Sequence, residues 1–232
     1  MIFNTNIKGK VGYFIHPNSK LPLYLFQPPE KINSNEVNCP AVGSLNNRLF
    51  GVKPLLSVDI EFGVQKNIKD EYEPYINYEL DSTVYREQPL IHDWIKDIIL
   101  LDMHDNKATL QFQSMYVYAS DVKDLEILQL PPHNNNLENC YFISGAFNIT
   151  KWTRALAGGY RQIDNTKPAK ISLNIDEYFY NIMFSQPIKL EEITPNRQTL
   201  MYYSRISDIA NTYNKIKKVI PRIVRMRPKK LL

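Results

Sequence analysis

The sequence predicts a mainly β protein. The expected form is a β-sandwich or jelly-roll-like domain over residues 1–195, with a C-terminal amphipathic helix and basic tail over 196–232. Three observations lead there. Short segments alternating apolar and polar residues recur from Leu55 to Ile193, with turn formers between them. Glycine is scarce, 8 of 232 residues, while proline reaches 15, which suits sheet edges and rigid turns better than a glycine-rich nucleotide-binding fold. From Leu200 the apolar period changes to three or four, the helical spacing.

The elements follow in order. Residues 16–40 hold five prolines and several turn formers, an irregular stretch. Tyr13, Phe14, Tyr24, Leu25 and Phe26 tie this region to a core. Leu56, Val58, Ile60 and Phe62 alternate with Ser57, Asp59 and Glu61, a half-buried strand. Residues 66–87 are polar and tyrosine-rich, a long connection or an edge hairpin. Trp94–Asp102 fits a strand or a short helix. Ala108–Ala119 reads as one strand with Leu110, Phe112, Ser114, Tyr116 and Tyr118 on one face. Leu125–Leu130 is another, stopped by Pro131-Pro132. Residues 133–139 are a turn, and Tyr141–Ser144 is a short apolar piece. After the stretch GAFNITKWTRALAGGY (145–160) come three more alternating runs. They hold Ile171, Leu173 and Ile175, then Tyr178, Tyr180, Ile182 and Phe184, then Ile188 to Ile193. Leu200, Tyr203, Ile206, Ala210, Tyr213 and Ile216 then mark the helix, limited by Pro221 and Pro228.

Composition excludes several classes. Hydrophobic content of 44% and charged content of 22% fit a globular chain. Cys39 and Cys140 form no CxxC pattern, so neither a disulfide framework nor a zinc site is expected. No apolar run approaches the ~18 residues of a spanning helix. No export signal opens the chain, so the expectation is a protein that is neither secreted nor membrane-bound. Charge is unevenly placed. Residues 199–232 hold nine cations (Arg205, Lys215, Lys217, Lys218, Arg222, Arg225, Arg227, Lys229, Lys230) against Asp208. That arm is +8 in a chain of +4, so residues 1–198 carry −4. An acidic body bears a basic arm.

Motifs of catalysis are weak. His92-Asp93, His104-Asp105 and His133 supply the residue types of a cupin-like metal site. Adjacent side chains on a strand face opposite ways, so His92 and Asp93 do not share a metal if extended. Asp102 and His104 have the i, i+2 spacing but fall in an expected turn. There is no GxSxG, no SxxK and no phosphate loop, and no cofactor is expected. The basic arm has three readings: a solvated tail, a dock for an acidic protein partner, or nonspecific nucleic-acid binding through phosphates. In the 145–160 stretch, Trp152 is an anchor with Arg154 on the same strand face, and Gly158-Gly159 permits a bend. The segment reads as a structural corner.

FISGAFNITKWTRALAGGY followed by KISLNIDEYFYNIMFSQPIKL resembles an uncharacterised family of marine tailed phages, cyanophages among them. The family run Gly-x-Phe-Asp/Asn-Ile-x-x-Trp-x-Arg-Pro is matched at Gly145, Phe147, Asn148, Ile149, Trp152 and Arg154, with Ala155 at the proline position. Tyr13–Pro17, Asn38–Ala41 and Val58–Phe62 are also similar. The resemblance covers most of residues 13–190 and stops short of the arm. It implies a β-rich, cupin-like or jelly-roll domain, a phage setting in virion or host cytoplasm, and other phage proteins or a second copy as partners. Its shared Gly, Phe and Trp positions point to architecture. The expected function is a non-enzymatic structural or binding protein; the alternatives are a cupin-type metal-dependent enzyme and a nonspecific nucleic-acid-binding accessory protein.

Overall fold

The computed structural model describes residues 11–15, 27–32, 45, 47–55, 57–80, 99–112, 116–120, 122–132, 137–149, 154–155, 158–195, 197 and 201. These form a mainly β protein of four sheets. The first sheet runs β13 (Arg154–Ala155), β8 (Tyr116–Ser120), β1 (Val11–Ile15), β17 (Leu190–Glu192). The second runs β10 (Leu137–Glu138), β15 (Ala169–Leu173), β4 (Val58–Lys66), β5 (Tyr72–Leu80). The third runs β11 (Cys140–Phe142), β14 (Gly158–Gln162), β7 (Lys107–Phe112), β6 (Ile99–His104). The fourth runs β12 (Gly145–Asn148), β9 (Glu126–Leu130), β16 (Tyr180–Phe184), β3 (Leu49–Val52), β2 (Glu30–Lys31). Pairing is antiparallel except between β1 and β17, which run parallel.

Local chemistry explains the turns. Every described non-glycine residue at positive φ is Asn or Asp: Asn47, Asp70, Asp105, Asn106, Asp124 and Asn139. Their short polar side chains lower the cost of the left-handed region. Asp105 (φ 51°) and Asn106 (φ 54°) together make the two-residue primed turn joining β6 to β7. Asn67 closes the β4–β5 hairpin by accepting from the backbone N–H groups of Lys69 and Glu71. Asn139 separates β10 from β11, so one chain segment edges two sheets. Its amide donates to the carbonyls of Asp164 and Lys167, both at 2.7 Å, and so holds the 163–168 loop.

Alternation works where one face is wet. Val58, Ile60 and Phe62 are buried on β4, with Asp59 exposed between them. Ala169, Ile171 and Leu173 do the same on β15. β16 is buried on both faces over Tyr180, Asn181 and Ile182, as a central strand should be.

One apolar cluster draws on all four sheets. Phe179 stands at its centre. Its ring meets Phe112 at 4.8 Å, Tyr180 at 5.5 Å and Tyr160 at 5.7 Å. Its N–H donates to the carbonyl of Val52 (2.8 Å), and its carbonyl accepts from the Tyr160 hydroxyl (3.3 Å). Third-sheet and fourth-sheet residues are thus joined through one side chain. Each such aromatic pair adds about 0.5–1.5 kcal/mol beyond the area it buries.

Three expectations are corrected. Ala108–Ala119 is not one strand: β7 and β8 lie in different sheets. Asp102 and His104 are not in a turn but on β6, which ends just before it. Ile175, read as part of an alternating strand, is an exposed turn residue. Of the expected C-terminal helix, Arg197 and Met201 have helical backbone; the rest lies outside the described residues.

The two adjacent glycines give a contrast. A Cβ on Gly158 would stand 2.5 Å from the Phe179 ring, whereas one on Gly159 meets nothing nearer than Gln111 and Ile143 at 3.4 Å. Gly158→Ala should therefore cost about 1–3 kcal/mol by overpacking. Gly159→Ala should stay within about 1 kcal/mol of the parent, since alanine is the better strand residue. Urea denaturation of both variants checks this.

Candidate interaction surfaces

The outer face of the second sheet follows from register. Glu138 pairs Lys170, which pairs Glu61, which pairs Asn77. In the next row Ser172 pairs Asp59, which pairs Glu79. Beyond them lie Tyr75 and the Gln65–Glu73 pair, joined by a 3.0 Å hydrogen bond. Among the described residues, Asp59, Glu61, Glu73, Glu79 and Glu138 face Lys170 alone, a net −4. That equals the whole net charge of residues 1–198. Lys170 is 3.8 Å from Glu138, which leaves the centre uncompensated. Asp59 and Glu79 stand directly opposite each other, and among the described residues neither has an ion-pair partner. Burial pushes the Tyr75 hydroxyl's pKa up, and the neighbouring Glu61 carboxylate adds to the rise.

The outer face of the third sheet is different. Tyr141, Arg161, Thr109 and Asp102 form one row across its four strands. Gly159, Gln111 and Leu100 form the next. Leu100 is 41% and Tyr141 48% exposed. Arg161 reaches the β6–β7 turn, donating to the His104 carbonyl at 3.3 Å and lying 3.7 Å from Asp105. His104 Nδ1 is 2.8 Å from the same Asp105 carboxylate.

The interior offers little for chemistry. The cavity beside Pro54, Pro132, Tyr160, Tyr178 and Phe179 measures about 10 Å³, room for a single water. Cys140 is a buried free thiol, and burial raises its pKa to about 12. A thiol so raised is a poor nucleophile at neutral pH. Burial likewise raises Tyr118 well above the usual phenol range, with Tyr180, Tyr116 and Tyr13 close by. The Gln129 amide nitrogen is buried with no hydrogen-bond partner among the described residues.

The expected site residues divide as follows. Lys215, Lys217, Lys218, Arg222, Arg225, Arg227, Lys229 and Lys230 lie outside the described residues, as do Trp152, His92, Asp93, His133 and Cys39. Arg154 is placed by its backbone, opposite Tyr118 on β8. The chain passes from the first sheet to the third between Ala155 and Gly158, across two residues outside the description. Gly158 and Gly159 are strand residues, and Gly158 makes room for Phe179. Asp102 and His104 share the outer face of β6. Among the described residues no three His, Cys, Asp or Glu side chains gather as a metal site. No described helix is long and apolar enough to cross a membrane.

The sequence alone does not mark the acidic face as a site. Asp59 and Glu61 are visible in the sequence as the polar half of an alternating strand. Their neighbours Glu79 and Glu138 become neighbours only through register. No protein family, curated protein or solved structure matches the chain.

Like charges directly opposite on a sheet are destabilising, in the range of about 0.2–1 kcal/mol per pair. Asp59→Asn should therefore stabilise the fold by about 0.5 kcal/mol at low salt. The gain should vanish near 1 M salt, where screening acts within about 3 Å. Denaturation curves at the two ionic strengths check it.

Proposed function

We propose that this chain is a non-enzymatic structural or binding protein working through protein–protein contacts. By the resemblance it is phage-encoded and a component of the virion. Its body is a β-sandwich of jelly-roll type, a reading supported by four sheets that share one core and by a second sheet whose outer face is polar. The acidic sheet face docks a cationic partner. The basic arm engages a different, anionic partner.

The opposed, uncompensated Asp59 and Glu79 carry this reading. A sheet selected for its own stability would place an opposite-charge or Thr pair there. A cationic partner covering the face turns that repulsion into attraction, and it sets orientation and association rate. An exposed sheet face suits a surface contact rather than an enclosed small molecule.

Quantitative mass spectrometry of purified, nuclease-treated particles is the test. A fixed copy number per particle is expected for the parent chain. An Asp59→Asn/Glu61→Gln/Glu79→Gln chain, folded by circular dichroism, should fall several-fold in the particle. A parent chain abundant in infected-cell cytoplasm but absent from particles would overturn the virion assignment. Full incorporation of the neutralised chain would overturn the role of the acidic face.

A further inference from the structure

The chain carries its own complement to the acidic face of the second sheet. On that face Asp59, Glu79 and Glu138 are exposed and Glu61 is half-buried. From residue 209 onward the sequence holds eight cations and no acid. One molecule therefore presents both a carboxylate-rich sheet and a segment able to neutralise it.

Spacing agrees as well as sign. Asp59 and Glu61 lie two residues apart on β4, about 7 Å along a strand. Arg225 and Arg227 are also two apart, and Arg227 precedes Pro228. A residue before proline favours extended backbone. Docked in that form, the segment sets two guanidinium groups over two carboxylates at the same interval, each pair open to bidentate bonding. Glu79, directly across from Asp59, receives a further cation, so the like-charge pair is relieved.

Placement favours a neighbour's arm over the chain's own. β17, the last described strand before the arm, edges the first sheet. The second sheet is backed instead by the third, with β4 against β7 and β5 against β6. The arm thus leaves the body from a different sheet than the one that bears the acids.

We propose that the cationic partner of the acidic face is the arm of a second copy. The inference rests on the reading of that face as a docking surface, and it names the occupant. Each copy then binds one neighbour through its face and another through its arm. Such a head-to-tail contact is heterologous, closing as a ring or running on as a filament.

Sedimentation velocity of the full chain from about 1 to 100 μM tests it, the range of micromolar association. The parent should form oligomers that disperse near 1 M salt, where screening acts within about 3 Å. Asp59→Asn/Glu61→Gln/Glu79→Gln removes the face and keeps the arm. Arg222→Gln/Arg225→Gln/Arg227→Gln does the reverse. Each variant alone, folded by circular dichroism, should associate about tenfold or more weakly than the parent. Mixed in equal amounts they should form a one-to-one complex and nothing larger, since one copy supplies only an arm and the other only a face. A parent that stays monomeric to 100 μM overturns the inference, as do variants that assemble like the parent or a mixture that gives no complex. If the parent is monomeric yet the face-neutralised chain is still lost from particles, the face docks some other protein. The docking reading then survives and the arm is not its partner.

Discussion

The packing of one ring holds the rest of the structure in place. Phe179 meets Phe112 and Tyr160 of the third sheet and Tyr180 of the fourth, and its backbone bonds to Val52. The ring fits because Gly158 has no side chain. Residues of the third and fourth sheets are thereby held against one ring. Interiors pack like organic crystals, so there is no slack for either sheet to slide past this contact. The outer faces inherit that rigidity.

Rigidity matters because the surfaces act by pattern. Five carboxylates on the second sheet form a stable array only if β10, β15, β4 and β5 keep their register. A one-residue slip would turn the acids inward and Ile60 and Phe62 outward. The buried half of the alternation therefore enforces the charged half. The third sheet shows the same logic. Leu110, Phe112 and Tyr160 face the core, and their chain neighbours Thr109, Gln111 and Arg161 are presented outward in fixed rows. A Cys140 thiol held neutral and a cavity the size of one water leave the described interior with a packing role.

Legibility in the sequence tracked solvent contact. β4 and β15 alternate because one face is wet, and both were readable. Alternation marks no boundary between β7 and β8, because Tyr116, Val117, Tyr118 and Ala119 are all buried. The sequence places a turn over Asp102 and His104, and the structure has it just beyond them, at the left-handed pair Asp105-Asn106; with no glycine there, nothing in the sequence marks the two positions. The tyrosine-rich 66–87 region proved to hold the edge strand β5, hairpinned to β4. Gly158-Gly159 looked like a bend because sequence shows missing side chains, not the ring that fills the space. The acidic face was visible only as a net charge of −4 without a location. Location required knowing that Glu79 lies beside Asp59 and Glu138 beside Lys170, a matter of register between distant segments.

What remains is to catch the acidic face in contact. Zero-length carbodiimide cross-linking joins a carboxylate to an amine only where the two touch. Applied to the full chain in its native assembly and read by mass spectrometry, it should link Asp59, Glu61, Glu79 or Glu138 to lysines of another chain. Loss of those links at high salt would fit an electrostatic dock. If these carboxylates form no links to any other chain while carboxylates elsewhere on the protein do, the account of an acidic docking face is wrong.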